Sequence, residues 1–145
     1  MKVAFVELCF LVLLLLISGC GVSQDEVART QSPDGKLDAV LVETNGGATT
    51  SFGYKVFVVK KGANYSTVNS VADLYGAIRN SNAYGAKLVW RSAKELEVQF
   101  LSAKSSNVES SFVEVSGQKI GVYLRPGVSD PTAPGGGMLY NREKY

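Results

Sequence analysis

Four places in this chain hold residues whose types and spacing could do chemistry. Glu95 and Glu97 stand two apart, with Asp38, Glu109 and Glu114 as further carboxylates; a pair of these facing one another across roughly 5 to 9 Å would suit glycoside hydrolysis. Ser116 and Lys119 have the spacing of a serine nucleophile and its activating lysine, which works when the two stack one helical turn apart. Asn45, Gly46, Gly47, Ala48, Thr49, Thr50 and Ser51 bring two glycines and three hydroxyls together, and successive exposed N–H groups there could form an anion-binding nest. Cys20 follows the small residues Ser18 and Gly19, which admit an extended backbone to a peptidase and leave a thiolate nucleophile at the cut.

Composition removes most other chemistry. The chain has no histidine, which excludes Ser-His-Asp and Cys-His catalysis, histidine zinc sites and a histidine switch near neutral pH. Its two cysteines, Cys9 and Cys20, both fall in the N-terminal stretch, so neither a disulfide nor a thiolate metal site is expected in the body, and no cofactor is expected. The net charge is +2, and Lys60-Lys61 is the only adjacent basic pair. Nucleic acid is therefore not an expected partner, because neutralising phosphates takes a basic patch or stripe.

Each candidate has a plainer reading that depends on the element carrying it. Ser116-Gly117-Gln118-Lys119 lies between two alternating apolar segments, where a hairpin turn is expected and a helical turn is not. The carboxylates alternate as solvent-facing residues of amphipathic strands do. Asn45 to Ser51 reads as a long hairpin loop whose Asn-Gly start and hydroxyls satisfy their own backbone, though a polar loop on a rigid sheet is still where binding would sit. The expectation is a non-catalytic binding or interaction module with Asn45, Gly46, Gly47, Thr49, Thr50 and Ser51 as a possible binding loop. The alternatives are a histidine-free hydrolase of cell-wall glycan and a small-molecule or ion-binding module.

The elements that would position these residues alternate with period two. Leu37 to Glu43, Phe52 to Lys60, Tyr84 to Trp90, Glu95 to Phe100, Phe112 to Val115 and Ile120 to Leu124 all read as strands. Val71 to Arg79 also fits one face of a helix, and strand is preferred. The segments 37–43 and 52–60 are apolar on both sides, the mark of central strands. About seven strands with little helical periodicity predict an all-β fold: a single antiparallel meander sheet, curled or closed into a small barrel or sandwich, preceded by a cleaved signal helix. Ser32-Pro33-Asp34-Gly35 is a strong turn signal, so the β domain is expected over 32–125. Residues 20–31 are expected to be a tether, and 126–145 an extended or disordered tail, with Met138, Leu139 and Tyr140 available to dock it. That tail holds three of the four prolines.

Leu8 to Ile17 is an unbroken apolar run of ten residues after Lys2, shorter than the about twenty a membrane-spanning helix needs. It ends in Ile17-Ser18-Gly19-Cys20, which resembles the lipobox of bacterial lipoproteins. The resemblance implies a signal peptide over 1–19, cleavage before Cys20 and acyl chains on that residue. Its partner would be a membrane, reached through the lipid, together with a possible envelope protein. Gly21 after the cysteine resembles, in Gram-negative lipoproteins, export to the periplasmic face of the outer membrane. Ser-Pro-Asp-Gly-Lys at 32–36, Gly-Gly-Ala-Thr-Thr at 46–50 and the Leu74-Tyr75-Gly76-Ala77 and Tyr84-Gly85 to Trp90 segments resemble a family of small bacterial proteins, many of them lipoproteins. That resemblance implies no activity and no site residues. Two acyl chains hold a protein on a bilayer where one binds reversibly, so labelled palmitate is expected in the native protein and absent from Cys20→Ser; equal labelling of both removes the anchor.

Overall fold

A computed structural model describes residues 21–135, so Cys20, the expected signal helix and residues Met138, Leu139 and Tyr140 lie outside the described part. Its strands are β1 (Ser23–Gln31), β2 (Leu37–Asn45), β3 (Gly53–Lys60), β4 (Ala72–Tyr75), β5 (Ile78–Asn80), β6 (Ala83–Tyr84), β7 (Lys87–Ser92), β8 (Glu95–Gln99), β9 (Ser105–Val108), β10 (Phe112–Val115) and β11 (Gln118–Arg125), with one 3-10 turn at Tyr65–Thr67. The fold is all-β, as expected, and no helix among the described residues is long and apolar enough to cross a membrane.

The single seven-stranded meander is corrected. Eleven strands form a five-stranded sheet in the order β1-β2-β3-β4-β9, a four-stranded sheet in the order β10-β11-β8-β7, and the small pair β5-β6. The sheets are not closed into a barrel. After β8 the chain crosses to the first sheet to lay β9 beside β4, then returns, so that β11 pairs with β8 in parallel. A parallel pair needs such a crossover, and a meander has none. The two expected hairpins, β7-β8 and β10-β11, are present and antiparallel, and residues 71–79 are extended as preferred, divided between β4 and β5.

Alternation explains why the two sheets face each other. Leu37, Ala39, Leu41, Tyr54, Val56, Val58, Ala72 and Leu74 point from the first sheet into one core; Leu88, Leu96, Val98, Ile120 and Val122 enter it from the second. The opposite side of β2 and β3 carries Val40, Val42, Phe57 and Val59. A lid with Ala63 and Tyr65 covers them, Tyr65 lying 5.1 Å from Phe57 between ring centroids. Arg29 crosses the rim of this second cluster, bonded to Glu26, Asp38 and the carbonyl of Ala63.

The expected tether is also corrected, because residues 23–31 are β1, the nine-residue edge of the first sheet. Its polar sequence suits an edge: one face packs Val27 and Ala28 on the core, and the other presents Glu26 and Arg29. A bulge between Glu26 and Ala28 shifts the register. Trp90 Nε1 donates to the carbonyl of Thr30 at 3.0 Å, joining this edge to β7 of the other sheet. At the far end of β1, the Ser32 to Lys36 turn forms as expected, with Gly35 at φ 71° and Ser32 Oγ accepting from Leu37 N.

The tail over 126–145 is ordered against the body as far as it is described. Lys87 Nζ meets Asp130 Oδ2 at 2.7 Å, Ala133 is buried and Gly135 bridges to Gly85. Arg79, whose guanidinium donates to the Ala133 carbonyl, organises this docking.

Candidate functional site

Of the carboxylates singled out in the sequence, Glu109 and Glu114 border one groove and the others lie elsewhere. Asp38 is buried, accepting from Arg29 Nη1 at 3.0 Å and Gly62 N at 2.8 Å. Glu95 is exposed at the start of β8. Glu97 lies on the outer face of the second sheet with both oxygens occupied. Oε2 accepts from Arg91 Nε at 2.8 Å and Gln99 Nε2 at 3.0 Å, and Oε1 accepts from Arg125 Nε at 2.9 Å. These bonds, Gln99 and Arg125 foremost, hold its carboxyl down to about 2. A group so strongly held as the anion cannot serve as a general acid near neutrality.

Ser116 and Gly117 are the two residues of the turn between β10 and β11, with φ 55° and 73°, the paired positive values of a type I′ hairpin, and Lys119 follows in β11. The helical stacking that serine–lysine chemistry requires is absent, and Lys119 instead sets its ammonium 4.1 Å from the centroid of the Phe112 ring. Among the described residues, no group of three acidic, histidine or cysteine side chains gathers to hold a metal.

The Asn45 to Ser51 loop joins β2 to β3 and spends much of its hydrogen-bonding on itself. Asn45 Oδ1 accepts from Gly47 N at 2.9 Å, the Gly47 carbonyl takes Thr50 N and Thr50 Oγ1, and Ser51 N donates to Tyr75 Oη at 3.0 Å. Gly46 to Thr50 are exposed, while Ser51 is buried. With three of its amides committed in this way, the loop has the self-satisfied form.

What the sequence did not indicate is a groove at the opposite end of the sandwich, with a volume of about 540 Å³. One wall is Val58, Val59 and Lys60 of β3 with the lid that follows; the other is β10, and Glu109 borders it too. Two strand edges face this space. β4 pairs with β3 only from Gly53 to Val56, so Phe57 to Lys60 has no strand neighbour on that side among the described residues. β10 is the last strand of its sheet. Exposed Val68 and Phe112 sit at the groove's mouth. Only the chain crossing between sheets creates this arrangement, and no local pattern in the sequence marks it.

A separate polar cluster is buried at the other end. Tyr54 donates to Glu43 Oε2 at 3.3 Å, and burial, reinforced by the Glu43 charge, pushes the phenol far above its ordinary range. Both residues are buried, and Arg79 lies close enough to act on the phenol in the opposite sense. Tyr54, Glu43 and Arg79 are all buried, and Arg79 in turn donates to the Ala133 carbonyl.

Compared with known proteins, the chain matches no family model, no curated protein and no solved structure.

The Glu97 cluster generates a pH prediction. Its folded-state carboxyl sits near 2 against an ordinary 4.5, so its stabilisation is complete above 4.5 and is lost as pH falls toward 2. Asp130, lowered chiefly by Lys87, acts in the same direction. Glu97→Gln is expected to lower the thermal midpoint at neutral pH and to flatten its fall between pH 4.5 and 2. An unchanged acid limb in thermal scans of the variant shows that the arginine clamp contributes nothing.

Proposed function

We propose that this chain is a lipid-anchored protein of the bacterial envelope that works by binding, and that it takes an extended segment of a partner protein into the groove between β3 and β10. The observation that carries this reading is the pair of strand edges lining one apolar space. A β-strand seated there pairs its backbone with β10 or with Phe57 to Lys60 while its alternate side chains fill the groove, which is strand addition. Burial of the exposed Val68 and Phe112 adds to it. The anchor comes from the sequence around Cys20, and the resemblance of the 32–36 and 46–50 motifs to small bacterial lipoproteins agrees with it. The absence of histidine and the occupied oxygens of Glu97 leave the chain poorly equipped for catalysis.

One observation favours a second reading, the histidine-free glycan hydrolase: Glu109 and Glu114 border the same groove. The two readings separate cleanly. In a zymogram on cell-wall glycan the purified protein is expected to leave the substrate intact; clearing that disappears in Glu109→Gln or Glu114→Gln replaces binding with hydrolysis.

Strand addition itself is tested at Glu114. Val115 and Gln118 close the two-residue turn and bond to each other, so by antiparallel alternation the amide of Glu114 points away from β11. Glu114→Pro removes that outward donor and leaves the β10-β11 ladder intact. Partners captured from detergent-solubilised envelope by the native protein are expected to be lost with Glu114→Pro at an unchanged thermal midpoint. Identical capture by both proteins rules out β10 as the binding edge.

A further inference from the structure

We infer that the end of the sandwich bearing the Asn45 to Ser51 loop is apposed to the bilayer, and that this loop, Val22, Tyr75 and Lys104 form its contact with the lipid headgroups. The inference rests on the lipid-anchor reading above and adds an orientation to it. Only Gly21 and Val22 separate Cys20 from β1, which begins at Ser23. Three residue steps reach at most about 11 Å even when fully extended, whereas a tether running to residue 31 would have given about three times that.

The register of the first sheet then decides which end is held down. Ser23 pairs with Asn45, so the first residue of β1 and the first residue of the loop are cross-strand neighbours about 5 Å apart. Gly53 pairs with Tyr75, and Tyr75 with Ser105, which sets the start of β3, the end of β4 and the start of β9 along the same end. The interfacial zone beyond the hydrocarbon core is itself several ångströms deep on each side. A lipid on Cys20 therefore leaves the loop no room to stand clear of the headgroups.

The residues at this end suit that position. From Thr44 to Tyr54 there is no charged side chain, so none must be stripped of water. The loop's internal hydrogen bonds, from Gly47 N, Thr50 N and Thr50 Oγ1, spare it part of the cost of desolvating backbone. Val22 is 58% exposed and Tyr75 41%, an apolar side chain and an amphipathic ring of the kind that settles at an interface. The stem of Lys104 lies so close over Gly76 that a Cβ there would meet it at 2.9 Å. Its ammonium sits 5.9 Å from the Tyr75 ring centroid, free to reach a phosphate as lysines do when their stems lie on apolar surface. The groove, by contrast, lies by Lys60, which pairs with Leu37 at the opposite end of β3. Seven residue steps place it about 24 Å farther out, open to the aqueous side.

The test uses the full lipoprotein, matured in cells and reconstituted in vesicles of phosphatidylethanolamine and phosphatidylglycerol. Thr49→Cys and Lys61→Cys variants carry an environment-sensitive fluorophore, one at each end of the sandwich, and nitroxide-labelled lipid headgroups serve as quencher. Quenching several-fold stronger at position 49 than at 61 is expected. Equal quenching, or stronger quenching at 61, in a protein that carries palmitate and floats with the vesicles overturns the orientation and leaves the anchor standing. A protein that takes up no palmitate and stays off the vesicles overturns the anchor and the orientation together.

Discussion

Two adjacent strands that are apolar on both faces cannot be left wet on either, and this requirement shapes the whole molecule. β2 and β3 bury Leu37, Ala39, Leu41, Tyr54, Val56 and Val58 on one side and Val40, Val42, Phe57 and Val59 on the other. The second sheet satisfies the first side. Among the described residues nothing of comparable size lies over the second; the segment after β3 folds back as a lid with Ala63 and Tyr65, and Arg29 bonds to Asp38 and the Ala63 carbonyl beside it. The groove is a by-product of that solution: the lid leaves β3 after Lys60 while β4 pairs only as far as Val56, so among the described residues the last residues of β3 have a strand neighbour on one side alone.

The charged side chains follow the same economy. Glu97 is held on the outer face by Arg91 and Arg125, whose own side chains are more than half exposed, so the cluster is screened by salt and is worth far less than its geometry suggests. Lys55 and Asp73 pair similarly across β3 and β4 at 3.1 Å, which supplies the partner for an Asp73 oxygen otherwise without a hydrogen bond. These are surface arrangements that keep a twisted sheet soluble.

Much of this was legible in the residues. Two-sided apolarity placed β2 and β3 at the centre of a sheet, and Ser-Pro-Asp-Gly marked the turn before β2. The clean alternation around Trp90 and Leu96 gave the β7-β8 hairpin, and Ser116-Gly117 gave the tight turn before β11. β1 was hidden because Ser-Gln-Asp-Glu-Val-Ala-Arg-Thr-Gln has few apolar residues and a bulge that breaks its alternation; an edge strand gains its stability from its neighbour's ladder, which is not written in its own sequence. β9, with the sequence Ser-Ser-Asn-Val, was invisible for the same reason. The parallel pairing of β8 and β11, and the groove that accompanies it, depend on residues far apart in the chain. The Asn45 to Ser51 loop was correctly placed between two strands, and its internal bonding follows the plainer of its two readings.

Arg79 is nine-tenths buried, with a guanidinium Nε that finds no hydrogen-bond partner among the described residues. The carbonyl of Ala133 takes one of its donors, and a Cβ on Gly85 or Gly135 would crowd its side chain. Closing the segment around Ala133 takes that cation out of water, a cost that the bond to the Ala133 carbonyl offsets only in part. That segment lies more than fifty residues after the arginine, so a nascent chain that has emerged only through β11 keeps the guanidinium in water. The contact between the two is therefore made late in synthesis, and the arginine stays hydrated until it forms.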